Sequence, residues 1–340
     1  MPRPTLADIA RESNVSLATV DRVMNARGGA SERTQAIVRA TAARLGYLLD
    51  VALAPDYAAQ PVRLMFLFPQ GTNAFVRDLQ AQINLQAPQF EGVNAQIETI
   101  EGFEPEIMAA RLKALEGTVD GVAVLALDHP LVREALRSLI ASGTHVVTIG
   151  SDILQVPHHG YIGIDDAQAG RLAGYIVGRL LGRGARGKVA FFAGSLAYRG
   201  HQEREIGFRQ VLTQDFCGLQ IVECREIQEN RDKAKTEMIA LIERHPDLAA
   251  VYSAGGGTAG IAAGLAAQTR DRNMVFIAHD LTDSNKSLLL NGTLDAVIDQ
   301  NARVEIREAL NTLIHATRQK TYRMVPPRLQ IIFKENLPGD

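Results

Sequence analysis

From Val62 onward the chain repeats one alternation, a short apolar run followed by a stretch with helical spacing, and few folds accommodate it. The runs fall at Val62 to Phe68, Ala95 to Ile100, Gly121 to Leu127, His145 to Ile149, Gly160 to Ile164, Lys188 to Ala193, Gln220 to Cys224, Ala249 to Ser253, Met274 to Ala278, Leu294 to Ile298 and Leu329 to Phe333. Strands that alternate with helices build a parallel sheet. These are too many for one comfortable doubly wound sheet, and the segment from Asp165 to Gly170 opens a new helix where a crossing is natural. The reading is α/β: two lobes facing a cleft, an N-lobe over 62–164 and 294–324 and a C-lobe over 165–293 and 325–335, with later crossings near Gly292 and Met324.

The first stretch has a different period and predicts a small all-α domain over 1–48. Thr5 precedes an apolar run and has Asp8 three residues on, while Ser16 precedes a second run, so each caps a short helix. Leu6, Ile9, Ala10, Val15, Val20, Val23 and Met24 form the buried faces, and Ser13-Asn14 is the break between the helices. Ser31 caps a third helix, with Ile37, Val38, Ala42 and Leu45 on its inner face and Gly46 as its stop. The solvent side of the second helix falls to Leu17, Ala18, Asp21, Arg22 and Asn25. A helix offered this way fits a DNA major groove, where Arg forks onto a guanine edge and small apolar groups meet a thymine methyl.

The order Thr-Leu-x-Asp-Ile-Ala, then Val-Ser-x-Ala-Thr-Val-x-Arg-Val-x-Asn, then Arg-x-x-Ala-x-x-Leu-Gly-Tyr at Arg39 to Tyr47 resembles the headpiece of the LacI/GalR family of bacterial transcription regulators. By that resemblance Leu17, Ala18 and Arg22 would read bases, while Ser16, Thr19 and Asn25 would hold phosphates; Thr5 completes this set. Residues 49–61 would be the hinge, with Leu53 as a wedge into the minor groove. Here the pattern departs from the family. Asp50 stands where Asn is usual, and Pro55 breaks any helix running beyond Ala54, so a flexible tether stands as the alternative to the Leu53 wedge.

The remainder, 62–340, resembles the type 1 periplasmic-binding-protein fold that serves the same family as effector domain, through Gly163-Ile-Asp165-Asp166-x3-Gly170 and Arg204-x-x-Gly207-Phe208. Ligands of such domains sit where strand ends of both lobes converge. Those ends carry Gln70, Asn73, Phe75, Asp128, His129, Ser151, Asp152, Tyr198, Arg204, Asp280 and Gln300. Carboxylates and amides suit hydroxyl groups, Arg204 forks across two oxygens, and Phe75 or Tyr198 lies against a ring face. By resemblance Arg204 and Asp280 hold the family's sugar-contacting positions. Where the family often has an Asn-Asp pair this chain has Gly255 and Gly256, which leaves room for a bulkier or acidic ligand. Asp165 and Asp166 have a second reading as helix caps, His129 as a turn residue and Asp152 as a solvated charge.

Charge narrows the partners. A formal net charge of -2 over 340 residues excludes a globally basic nucleic-acid coat, so DNA contact must come from the local patch of Arg3, Arg11, Arg22, Arg27, Arg33, Arg39 and Arg44. Phosphate binding from so few charges is modest, which predicts a homodimer with two headpieces on one operator. The family's leucine-rich tetramer tail is missing from the end of the chain, so nothing larger than a dimer is expected. Cys217 and Cys224 have no metal-site spacing and read as small core residues in a reducing compartment. No apolar run suggests export or membrane insertion, and a cytoplasmic location is expected.

The expectation is therefore a non-enzymatic regulator, a repressor of double-stranded operator DNA, modulated by a sugar, polyol or sugar acid and needing no cofactor. Two rivals stand beside it. Gly255-x-Gly257-x-x-Gly260 follows a strand, opens a helix and has Asp280 about 20 residues on, as an NAD-binding enzyme requires, although no catalytic constellation accompanies it. The other is a ligand-binding module that has lost DNA recognition, suggested by Asp21 on the reading face and by the broken hinge.

Overall fold

The computed structural model describes residues 5–13, 15–24, 30–44, 61–101, 103–267 and 274–338. The chain divides into two units, 1–58 and 59–340.

In the smaller unit the helices are α1 (Leu6–Ser13), α2 (Leu17–Met24) and α3 (Glu32–Arg44). Thr5 and Asp8 close a reciprocal cap on α1: the Thr5 N–H donates to Asp8 Oδ2 at 2.9 Å and the Asp8 N–H to Thr5 Oγ1 at 3.3 Å. Ser16 accepts from the Thr19 N–H at 3.2 Å, and Ser31 from the Thr34 N–H at 3.3 Å. Ile9, Val20, Val23, Val38 and Ala42 fill the core, with Leu6, Ala10, Val15 and Met24 packed against it. Ile37 corrects the expectation for α3. It is 43% exposed, because the inner face runs through Val38, Thr41 and Ala42. Leu45, Gly46 and the 49–61 hinge, with Leu53 and Pro55, lie outside the described residues or at their edge.

In the larger unit the order is β1 (Val62–Pro69), α4 (Ala74–Gln86), β2 (Val93–Ile100), α5 (Pro105–Ala114), β3 (Gly121–Val124), α6 (Pro130–Ala141), β4 (His145–Ile149) and β5 (Tyr161–Ile162). It continues with α7 (Asp166–Leu181), β6 (Gly187–Ala193), α8 (Arg199–Asp215), β7 (Leu219–Glu226), α9 (Arg231–Arg244), β8 (Leu248–Ser253) and α10 (Thr258–Ala266). Then come β9 (Val275–His279), α11 (Asp283–Leu290), β10 (Ala296–Asp299), α12 (Ala302–Thr317) and β11 (Gln330–Ile332). The strands form two sheets, β2-β1-β3-β4-β5 and β11-β10-β9-β8-β6-β7. Every pairing is parallel except β10 with β11. This is the expected α/β pair of doubly wound lobes, each with helices covering its sheet.

One lobe boundary moves. The run near Leu294 was expected in the N-lobe, but β10 pairs with β9 and β11 and belongs to the second sheet. The chain crosses after β10, where Asn301 adopts φ 65° and caps α12, and not near Gly292. Helix α12 then packs on the first lobe, burying Ile306, Leu310 and Leu313 among Leu64, Val122 and Val147. Cys217 and Cys224 are also corrected, since both are exposed.

Candidate ligand-binding cleft

Each sheet has one point where the strand order reverses, between β1 and β3 in the first lobe and between β6 and β8 in the second. Connections leave such a point in opposite directions and open a crevice at the carboxyl ends of the strands. The two crevices face each other across a shared cavity whose wall includes Asn73, Phe75, Tyr198, Arg204, Asp280 and Gln300. The space open to the centre of a water-sized molecule is about 40 Å³. A molecule filling it extends a further atomic radius on every side, so the cavity suits a small polar ligand.

Arg204 organises the second-lobe wall. It is 3% exposed, and its Nε donates to Asp166 Oδ1 at 2.7 Å, Nη1 to the Ala254 carbonyl at 2.6 Å and Nη2 to Gln300 Oε1 at 2.9 Å. A guanidinium has five N–H groups, so two have no protein acceptor among the described residues. Gln300 Nε2 in turn donates to Asp280 Oδ1 at 2.8 Å. The Tyr161 hydroxyl completes Asp166, donating to Oδ2 at 2.9 Å. This network requires α7 and α8 to touch. A Cβ on Gly170 would stand 2.0 Å from the Arg204 carbonyl oxygen, which gives the Gly163-to-Gly170 motif its glycine.

Two carboxyls on this wall are held out of water. Burial pushes Asp280 up to about 7, with Arg204 pulling against it and Asp299 and Glu229 reinforcing it. Burial likewise pushes Glu229 up to about 7, opposed by the Gly256 N–H, Arg204 and Asn73. Both residues sit on left-handed backbone, φ 67° at Asp280 and φ 53° at Glu229. His201 is held neutral, down to about 3, by burial and the nearby Arg204 charge.

Glu229 also joins the lobes. Asn73, which caps α4 through the Phe75 N–H, donates its Nδ2 to Glu229 Oε2 at 2.9 Å, and Thr72 Oγ1 donates to the Glu229 carbonyl at 2.5 Å. Across the same gap the Gly200 N–H donates to Ser151 Oγ at 3.2 Å, and the Asp128 N–H to the Ala197 carbonyl at 2.9 Å. The lobes are closed on one another.

Of the expected cleft residues, Asn73, Phe75, Ser151, Tyr198, Arg204, Gly255, Asp280 and Gln300 line the cavity. The others lie elsewhere. Gln70 is exposed beyond β1. Asp128 is bridged to Arg133 at 2.6 Å, and His129 caps α6 by accepting from the Leu131 N–H. Asp152 accepts from Thr148 at 2.8 Å and meets His158 at 3.1 Å, contacts that together hold its carboxyl below the ordinary range. Asp165 is the cap of α7, whereas Asp166 is the buried partner of Arg204.

Glu229 and His201 were missed. The strand-end rule reaches Glu229 once β7 is extended to Glu226, and His201 precedes Arg204 by one helical turn on α8. Glu229 also answers the question of the glycine pair. A Cβ on Gly256 would stand 1.9 Å from Glu229 Oε2, so the carboxyl fills the space left there. The NAD reading loses its loop for the same reason: the Gly256 N–H binds Glu229, and Gly260 is small to let α10 approach the Arg231 carbonyl at α9.

In the smaller unit Leu17 is 53% exposed, and Ser16, Ala18 and Arg22 are exposed with it. Thr19 and Asp21 are half-buried; Thr5 is exposed at the α1 cap, and Asn25 falls outside the described residues.

Residues 64–321 match the periplasmic binding protein domain model. The chain belongs to that family. Residues 5–50 match the model of the lacI family of bacterial regulatory proteins, so the chain has a LacI/GalR-like two-domain architecture. The ribose import binding protein RbsB of Bacillus subtilis is 30% identical over 135 residues, 40% of this chain and 43% of that one. The HTH-type transcriptional regulator pepR1 of Lactobacillus delbrueckii subsp. lactis is 28% identical over 155 residues, 45% of this chain and 46% of that one. The chain spans about half the length of the curated relatives it matches. The solved structure of GanP, a glucose-galactose binding protein from Geobacillus stearothermophilus, superposes with TM-score 0.73 at 22% identity, over 82% of this chain and 99% of that one. This likeness establishes the type 1 periplasmic-binding-protein fold. The cytoplasmic expectation is overturned. The matches include import and transporter binding proteins and a periplasmic sensor domain, which point away from the cytoplasm.

Proposed function

We propose that the larger unit binds a monosaccharide-sized, polyhydroxylated ligand between its lobes and that the smaller unit recognises double-stranded DNA under that ligand's control. The cleft observation that carries the first half is the paired amide and carboxyl set, Asn73 from one lobe with Gln300 and Asp280 from the other, around Arg204. Such groups accept from and donate to adjacent hydroxyls, while Phe75 and Tyr198 offer faces to a sugar ring. Relatives and neighbours named for ribose, galactose and arabinose binding support the same class.

Support for the second half is the match over 5–50 together with the outward face of α2. Leu17, Ala18 and Arg22 are assigned to base edges and Ser16 and Thr19 to phosphates, with the chain acting as a homodimeric repressor. The domain limits proposed are 1–48, a 49–61 linker and 62–340. Selection of bound sequences from a random duplex library by the purified chain, repeated across salt concentrations, tests this. Enrichment of a two-fold symmetric site supports it; sequence-independent or absent binding rejects it.

A second reading is a binding module without DNA recognition, favoured by the curated matches to sugar-binding proteins and by Asp21 beside Arg22. Under it the library yields no site while sugar binding persists.

A further inference from the structure

The cleft is unbalanced in charge. Among the described residues around it, Arg204 is the single guanidinium on the cavity wall, and Asp166 already engages it at 2.7 Å with both side chains 3% exposed or less. Glu229 and Asp280 remain on that wall without a cation of their own. Behind them Glu305 is fully buried with no hydrogen-bond partner on either oxygen, and Asp299 is half-buried beside Asp280. His201 and His279 are both kept neutral by burial and by Arg204, so neither offsets the acids. Burial keeps Tyr161, Tyr198 and Tyr252 protonated, with Arg204 pulling against it at Tyr161 and Tyr252.

Hydrogen-bonding capacity is skewed the same way. His201 Nδ1 stands 2.9 Å from the Ser195 carbonyl and 3.3 Å from the Ser195 N–H, so the ring's tautomer sets whether Nε2, which faces Gly255, donates or accepts. Glu229 and Asp280 present acceptors. Against them stand two N–H groups of Arg204 and the Tyr198 hydroxyl, which is buried on the wall and has no partner. A larger space of about 460 Å³ lies behind Phe75 and Asp280, which line both, and Asp78 and Asp299 add acids to it beside Lys286.

We infer that the cleft selects a cationic polyhydroxylated ligand, an amino or imino sugar, with its ammonium group against Glu229 and Asp280, and discriminates against sugar acids. The inference rests on the monosaccharide reading above. An ammonium group supplies donors and a positive charge to a wall rich in acceptors. It also favours the ionised form of two carboxyls that burial pushes up to about 7, so binding near neutral pH releases protons. A sugar carboxylate meets the reverse: it brings a further negative charge beside Glu229 and Asp280, and Arg204 is already committed to Asp166.

Calorimetric titration of the full chain near neutral pH tests this with three matched series: glucosamine, glucose and gluconate; galactosamine, galactose and galactonate; mannosamine, mannose and mannonate. In the series that fits, the amino sugar is expected to bind about ten- to a hundred-fold tighter than its neutral counterpart, the weight of one charge-assisted hydrogen bond. The acid is expected to bind more weakly than either. Glu229→Gln, which keeps the shape and the acceptor for Asn73, is expected to bring the amino-to-neutral ratio close to one. Asp280→Asn, suited to left-handed backbone, is read the same way should Glu229→Gln lose its circular-dichroism melt. A neutral sugar or an acid that binds as tightly as the amino sugar overturns the inference and leaves the sugar reading standing. A ratio unchanged in both variants overturns the role of the two carboxyls. A panel in which nothing binds overturns the monosaccharide reading, and the charge inference with it.

Discussion

Replacing Arg204 by methionine strands a charge. Asp166 is 2% exposed and keeps only the Tyr161 hydroxyl once the guanidinium is gone, while Ala254 and Gln300 lose their donors. Breaking a buried pair by removing one partner costs about 3–5 kcal/mol, most of it the desolvation of the ion left behind. Arg204→Met is expected to lose that much in urea unfolding followed by far-ultraviolet circular dichroism, with the slope unchanged. The cause is separable from the lost packing. Adding Asp166→Asn removes the stranded charge but keeps an acceptor for Tyr161, and the double variant is expected to regain about 1–3 kcal/mol. Lowering the pH is expected to stabilise the single variant more than the double, because its Asp166 then binds a proton that the unfolded chain holds less tightly. A single-variant loss below about 1 kcal/mol, or a double variant no more stable than the single, refutes this account of the network.

Other outcomes follow from the same geometry. Glu229 and Asp280 are raised from 4.5 and 3.8 to about 7, so between those limits the folded chain keeps protons that the unfolded chain has lost. Unliganded stability is therefore expected to fall as pH rises through that window, by up to about 1.4 kcal/mol per pH unit for each group, and Glu229→Gln flattens the curve in urea midpoints. Gly256→Ala places a Cβ 1.9 Å from Glu229 Oε2 and is expected to cost about 1–3 kcal/mol and to weaken ligand binding in calorimetry. Arg22→Ala is expected to relax site choice at a cost of about 1–3 kcal/mol, seen as a flattened preference in competition binding. Thr5→Ala removes the α1 cap and is expected to cost the smaller unit about 1 kcal/mol in thermal unfolding.

How far the residues alone disclose this molecule depends on whether the information is local. Every strand was marked by its own apolar run, and Thr5, Ser16 and Ser31 announced their helices because a cap acts within three residues. The sheet to which Leu294 to Ile298 belongs was not marked, since an apolar run is equally content in either lobe; the crossing is set by Asn301 one step later. Arg204 and Asp280 were legible as polar residues at strand ends. Glu229 was not, because its role depends on a glycine of a distant loop making room for it. Asp166 was read as a local cap when its partner stands 38 positions away.

The left-handed backbone under Asp280 restricts how this cleft can change. Side chains branched at Cβ are strained there, and glycine, asparagine and aspartate are the residues that accept it readily. Descendants of this chain that turn to another ligand therefore have little freedom at that spot. Their novelty has to arise at ordinary backbone positions such as Gly256, where the barrier to a larger residue is crowding by the Glu229 side chain, which a compensating change can relieve.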